Sequence, residues 1–196
     1  MDQLLLRAMS IRLPEKREVA SAVSGPAVAF LFLVGQALAA SDPSATRYRS
    51  ASADSTGRVE IVTTTGRTIP IAPAKEQVGV DKIILAPNSR AVGWVAMYPN
   101  VATSYPIPLE LLVYADGKLR RFHGSCLPIW VWRFLNDGAQ VAFEQETVHG
   151  GMGVHYERRR VRDGHLVAEF TPEADRDGGR ISSEGPAWTR DLDQDR

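Results

Sequence analysis

The chain has 196 residues, 23 basic and 23 acidic side chains, and one cysteine. Balanced charge removes the basic face that a nucleic-acid-binding protein needs, so no nucleic-acid partner is expected. A lone cysteine removes any internal disulfide. Stability must come from a hydrophobic core, for which the length is sufficient in a single domain.

Residues 1–39 read as a targeting segment. Arg12, Lys16 and Arg17 precede an apolar run that begins Ala27-Val28-Ala29-Phe30-Leu31-Phe32-Leu33-Val34 and continues to Ala40. Ala37-Leu38-Ala39 is a small-x-small cleavage pattern, and the three parts together predict a signal peptide cleaved after Ala39. The competing reading is an uncleaved anchor. A spanning helix needs ~20 apolar residues, and Pro26, Gly35 and Gln36 interrupt this run. The expectation is therefore a periplasmic or secreted protein with no stable membrane span after cleavage. Met9 is an alternative start that would shorten the leader. Four basic and three acidic side chains precede residue 40, so 19 basic and 20 acidic remain, still close to neutral.

Residues 40–57, rich in Ser, Ala, Asp and Thr, predict a flexible spacer. From residue 58 the pattern becomes strand, turn, strand. Val59–Thr64 and Thr68–Ile71 flank Gly66-Arg67; Lys82–Leu85 and Ala91–Met97 flank Pro87-Asn88-Ser89. Leu109–Tyr114 and Lys118–Phe122 flank Asp116-Gly117, and Ile129–Leu135 and Gln140–Thr147 flank Asn136-Asp137-Gly138. Val154–Val161 and His165–Phe170 flank Asp163-Gly164. Asp-Gly between β-rich runs is a strong hairpin signal, because glycine accepts the positive φ that such turns require. No segment past the leader has helical periodicity. The fold class expected is all-β, with a repeat domain over 58–171. Residues 172–196 are polar and predict a disordered tail, in which Trp188 and Leu192 alone invite docking onto the domain.

The domain contains a unit that occurs twice. Ala86-Pro87-Asn88-Ser89-Arg90-Ala91-Val92-Gly93-Trp94 is echoed by Leu135-Asn136-Asp137-Gly138-Ala139-Gln140-Val141-Ala142-Phe143, and Asp116-Gly117-Lys118-Leu119 by Asp163-Gly164-His165-Leu166. The offsets, 49 and 47 residues, fit a repeated unit of about 48 residues. The units run 80–123 and 128–171, with a half unit over 58–72. Ile129 to Leu135 is apolar on both parities, as a strand between two layers must be. Alternation assigns Trp130, Trp132 and Phe134 to one face and Ile129, Val131 and Leu135 to the other.

These motifs resemble the Ser-Pro-Asp-Gly-x-x-Ile-Ala-Phe repeat of TolB-type, WD40-like periplasmic β-propellers. Asn88-Ser89 replaces Asp-Gly in the first copy, and Leu135-Asn136 replaces Ser-Pro in the second. The resemblance covers roughly residues 80–171 and implies antiparallel four-stranded blades. Two units and a hairpin are too few to close a ring of four or more blades. The arrangement expected is an incomplete propeller or a stacked-sheet variant. Its open edges call for another protein or for self-association.

Several side chains are candidates for chemistry. His123, Cys126, His149, Met152 and His155 are potential metal ligands, the tightest group lying in His149-Gly150-Gly151-Met152-Gly153-Val154-His155. Imidazoles with a thioether suit copper; the alternative is a glycine-rich loop with ordinary histidines, and no cofactor is expected. The same glycines resemble an esterase oxyanion loop, but no Gly-x-Ser-x-Gly elbow accompanies them. Cys126, three residues from His123, is either a reactive thiolate or a small buried residue. Arg158, Arg160 and Arg162 share a parity and can bind an anion or pair internally, with Glu144 expected opposite Arg158. Glu144 and Glu146 share a parity near His149, as an acid–base pair or as part of a charged ladder. Trp94, Trp130 and Trp132 can line a binding surface or fill the core.

No nucleophile–base constellation stands out. The leading expectation is an exported β-repeat scaffold that binds a protein or envelope component, with His149, His155, Arg158, Arg160, Trp130 and Trp132 as candidate contacts. The alternative is a small metal-dependent hydrolase or accessory module using the His149–His155 loop.

Overall fold

The structure, a computed structural model, describes residues 46–124, 127–149, 153–173 and 185–193. The expected signal peptide, Cys126 and Met152 lie outside the described residues. The described strands are β1 (Tyr48–Ala53), β2 (Val59–Thr63), β3 (Thr68–Ile71), β4 (Gly79–Leu85), β5 (Ala91–Tyr98) and β6 (Ile107–Ala115). They continue with β7 (Lys118–His123), β8 (Ile129–Leu135), β9 (Gln140–Glu146), β10 (Val154–Arg160) and β11 (Leu166–Phe170), and a helix, α1 (Ala187–Asp193), follows. The class is all-β: three antiparallel sheets ordered β1-β2-β3, β4-β5-β6-β7 and β11-β10-β9-β8, none closed into a barrel.

Turn residues set these hairpins. Asp116 and Gly117 carry φ of 51° and 72°, the paired positive values of a two-residue turn that matches strand twist. Asn136, Asp137 and Gly138 carry 49°, 53° and 89° between β8 and β9, where Asn and Asp tolerate the left-handed region better than other non-glycine residues. In the corresponding β4–β5 turn only Ser89 is positive, at 59°, and Asn88 Oδ1 accepts the Arg90 N–H at 2.9 Å.

The sheets stack face to face in chain order. Tyr48, Val59 and Ile61 of the first sheet pack on Val92, Trp94, Ala96 and Leu112 of the second. The second sheet's opposite face, with Val95, Leu111 and Val113, packs on Ile129, Trp132, Phe134, Val141 and Phe143 of the third. Val131, Ala142, Val154 and Tyr156 on the far face of the third sheet are covered by Leu192 and Trp188 of α1. The sequence repeat is thus a structural one: Val92 and Val141 face the preceding sheet, Gly93 and Ala142 the following layer. At the other end of the stack, Ser50, Ser52, Glu60 and Thr68 leave the outer face of the first sheet exposed and polar.

Four expectations need correction. Residues 40–57 are not spacer throughout: β1 lies within them. Tyr48, only 1% exposed, sets its ring 5.8 Å from Tyr114, while Ser50 and Ser52 point outward, so the polar composition reflects an edge strand's solvent face. Residues 172–196 are not disordered throughout, because α1 docks with Leu192 fully buried. Trp130 does not share a face with Trp132. A bulge between Ile129 and Val131 adds one residue and reverses the alternation, so Ile129 joins Trp132 and Phe134 while Trp130 joins Val131 and Leu135. β4 carries the equivalent irregularity between Asp81 and Ile84. Finally, Glu144 pairs with Tyr156 and Ala142 with Arg158, a two-residue shift that keeps each side chain on its predicted parity.

Candidate functional site

Four hairpin turns, one at each strand pair of the two repeats, converge at one end of the second and third sheets. A cleft of about 420 Å³ opens among them, and its walls include Asn88, Arg90, Asp116, Gln140, Arg160 and Arg162. The close approach of equivalent turns shapes this cleft. A Cβ on Gly138 would lie 2.7 Å from Ala86 Cβ, so only glycine at 138 lets the β8–β9 turn reach the β4–β5 turn. The Val161 N–H donates to Ala139 O at 2.9 Å and ties in the β10–β11 turn. Arg120 reaches across, its Nε donating to Arg162 O at 2.9 Å and its Nη1 to Ala115 O at 3.2 Å.

Asp163 holds two of the cleft's guanidinium groups. Arg160 Nε donates to its Oδ1 at 3.0 Å and Arg162 Nε to its Oδ2 at 3.3 Å. The His165 N–H also donates to Oδ1 at 3.1 Å. That backbone donor, with the charge of Arg160 and the hydrogen bonds of Arg162 and Arg160, outweighs desolvation and holds the Asp163 carboxyl below its usual range. The predicted arginine row is therefore divided. Arg158 instead lies over the Trp188 ring, 5.5 Å from its centroid.

The opposite end of the same strands is open and mixes apolar side chains with Asn100, Thr103, Ser104, Glu146 and Thr147. Val78, Val101 and Tyr105 are exposed, and half-buried Trp130 faces Tyr105 across a hollow. One hollow of about 300 Å³ runs from Val78 to Tyr105 and Pro106. A second, of about 320 Å³, is bounded by Tyr105, Trp130, Glu146 and Val148. Trp130 is held rigidly: its Nε1 donates to Glu146 O at 2.9 Å, and its own carbonyl accepts from Lys82 Nζ at 2.7 Å. Trp132, in contrast, is 1% exposed and belongs to the core, as does Trp94.

The histidines are dispersed over different elements. His123 ends β7, largely exposed, its Nδ1 3.3 Å from Glu110 Oε1. His149 is an exposed turn residue after β9. His155 lies on β10, its Nδ1 2.8 Å from Thr171 Oγ1 and its Nε2 3.7 Å from Glu157 Oε1 and 3.8 Å from Glu169 Oε2. Glu144 and Glu146 differ in environment, Glu144 fully buried and Glu146 half-buried. Among the described residues, no group of three or more His, Cys, Asp or Glu is placed to hold a metal ion, and no helix is long and apolar enough to cross a membrane.

Sequence reasoning passed over Asn88, Arg90, Asp116 and Gln140 at the cleft, and Val78, Val101 and Tyr105 at the opposite end. The repeat itself carried the signal for the first group, because equivalent turns of stacked units must emerge at one end. The second group lies in connecting segments outside the repeated motif, where no periodicity marks it.

No protein-family model matches the chain, and no curated protein matches it. Its class rests on the fold: an all-β protein of three antiparallel sheets, two of them copies of one four-stranded unit.

Proposed function

We propose that this is an exported β-repeat protein that binds another protein of the cell envelope through the loop end that carries Tyr105. The observation behind this reading is exposed Tyr105, which shares one hollow with exposed Val78 and a second with the fixed indole of Trp130, with exposed Val101 in the same connecting segment. Clustered exposed apolar side chains mark interaction surfaces, and aromatic anchors dominate such interfaces. Tyr105 divides the surface into two hollows, which suits two anchoring side chains of a protein better than one compact small molecule. The leader-like residues 1–39 support export, and the stacking of repeated four-stranded units supports kinship with TolB-type propellers.

The test is site-specific photo-crosslinking in the native host, with the crosslinker at position 105 and, as a control, at position 52 on the polar outer face. The expected result is one discrete adduct at 105 only. Its partner, identified and purified, should bind the parent protein and lose about tenfold or more in affinity on Tyr105→Ala. A partner that binds Tyr105→Ala and Val101→Asp as well as the parent would overturn the proposal. So would light scattering that shows the adduct to be a second copy of this chain.

A further inference from the structure

We infer that the turn-end cleft is a binding site for a small phosphate- or carboxylate-bearing molecule that also carries a hydroxyl donor. The inference is independent of the protein-binding surface at the other end of the strands. Three features of the cleft lead to it.

The first is charge. Arg90, Arg160 and Arg162 line the cleft with Asp116, and with Asp163 behind Arg160 and Arg162 the basic groups still outnumber the acids three to two. Asp163 engages Arg160 and Arg162 only through their Nε atoms, and their Nη groups have no other partner among the described residues. A guanidinium oriented by one carboxylate and open along its other edge is preorganised for an oxyanion. Two such groups, fixed by the same aspartate, present adjacent donors.

The second is an unmatched acceptor. Gln140 lines the cleft, and its Oε1 is buried without a hydrogen-bond partner among the described residues. A buried amide oxygen left without a donor costs about 1–3 kcal/mol, and a turn of the Gln140 side chain into the cleft would let a ligand hydroxyl supply that donor. The bound molecule therefore needs an anionic end for the arginines and a donor for Gln140, a combination found in hydroxy acids and in sugar or glycerol phosphates.

The third is shape. The volume, about 420 Å³, is at the small end of ligand sites. Gly138, Ala139 and Val161 in its lining are held by the Gly138–Ala86 approach and by the Val161–Ala139 hydrogen bond. The arginines thus converge on a wall that is not free to collapse.

Titration calorimetry on the folded protein at low ionic strength tests this, with inorganic phosphate, glycerol 3-phosphate and malate as probes. At least one hydroxyl-bearing probe should bind more tightly than inorganic phosphate, and Gln140→Ala should erase that advantage. A preference for glycerol 3-phosphate assigns phosphate as the anionic group; a preference for malate assigns carboxylate. Arg162→Gln, at a largely exposed side chain, and Arg160→Gln should each weaken binding about tenfold, whereas Asp116→Asn should strengthen it a few-fold. Raising salt should weaken binding steadily. The inference is overturned if none of the probes binds at about 10 mM, which corresponds to a Kd weaker than the millimolar range. It is also overturned if binding survives in a folded Arg160→Gln/Arg162→Gln protein.

Discussion

Trp132 lays the six-membered ring of its indole directly on the backbone of Gly93. A Cβ at position 93 would stand 2.5 Å from Cη2 and 3.0 Å from Cζ3 of that ring. This contact joins the second sheet to the third, and Phe134 braces the indole edge-on at 5.2 Å. Gly93→Ala should therefore destabilise the protein by about 1–3 kcal/mol through overpacking, despite alanine's better backbone entropy. Trp132→Phe removes the colliding atoms, and Trp132 Nε1 has no hydrogen-bond partner among the described residues to lose. Urea melts of the two single variants and the double variant check this. The double variant should be more stable than the sum of the single effects predicts, and strict additivity would show that the contact is not the source of strain.

The last layer of the stack is a helix rather than a sheet. Trp188 sets its ring edge-on to Tyr156 at 6.4 Å, and Leu192 is fully buried against the third sheet. Seven residues are too few for a stable free helix, so α1 owes its structure to this docking. It covers the apolar face on which a following unit would otherwise stack, as terminal caps do in repeat proteins. Leu192→Ala should cost about 1.5–3 kcal/mol, the transfer free energy of a buried leucine. Removing residues 185–196 should expose Val131, Ala142, Val154 and Tyr156 and convert the protein to dimers or larger species in light scattering. A truncated protein that remains monomeric and fully stable would remove the capping role.

The all-β class and the two four-stranded units were legible because turn chemistry is local: Asp116-Gly117 and Asn136-Asp137-Gly138 announce their hairpins wherever the sheets later pack. The bulges were not legible. Nothing in Ile129-Trp130-Val131 distinguishes an inserted residue from a regular one, since bulging depends on how β8 meets β9. That single residue moves Trp130 from the inter-sheet core to the face and loop end where it meets Tyr105. β1 was hidden for a related reason: its outward Ser50 and Ser52 dominate the composition, and only Tyr48 signals burial. The cleft was hidden because its walls come from four turns, each of which reads as ordinary punctuation.

A buried ion pair sits at the interface face of the third sheet. Glu157, 1% exposed, accepts from Gln145 Nε2 at 3.0 Å through Oε1 and from Arg159 Nε through Oε2. Removing one partner of such a pair strands a charge in a poorly solvated site, so Arg159→Met should cost about 3–5 kcal/mol. Glu157→Gln in the same protein removes the stranded charge and keeps an acceptor for Gln145. The double variant should recover at least half of the loss in thermal or urea melts. Failure to recover would mean that packing of the arginine stem, rather than charge, accounts for the cost.

Tyr98 offers a test by pH. Its hydroxyl donates to Glu110 Oε2 at 2.7 Å, an oxygen that also accepts from Arg121 Nη1 at 2.8 Å. Burial, then the hydrogen bond to Glu110 and its negative charge, push the phenol up from 10.0 to about 12. A folded pKa raised above the unfolded one means that this contribution to stability is complete below pH ~10 and is lost as pH climbs toward ~12. The tyrosinate absorbance difference between the parent and Tyr98→Phe should therefore titrate well above that of a free phenol. Glu110→Gln should bring the transition down, because it removes the charge that disfavours the phenolate. Tyr98→Phe should flatten the loss of stability over the same interval. A difference titration with its midpoint at the ordinary tyrosine value would show that the Tyr98–Glu110 hydrogen bond does not persist in solution.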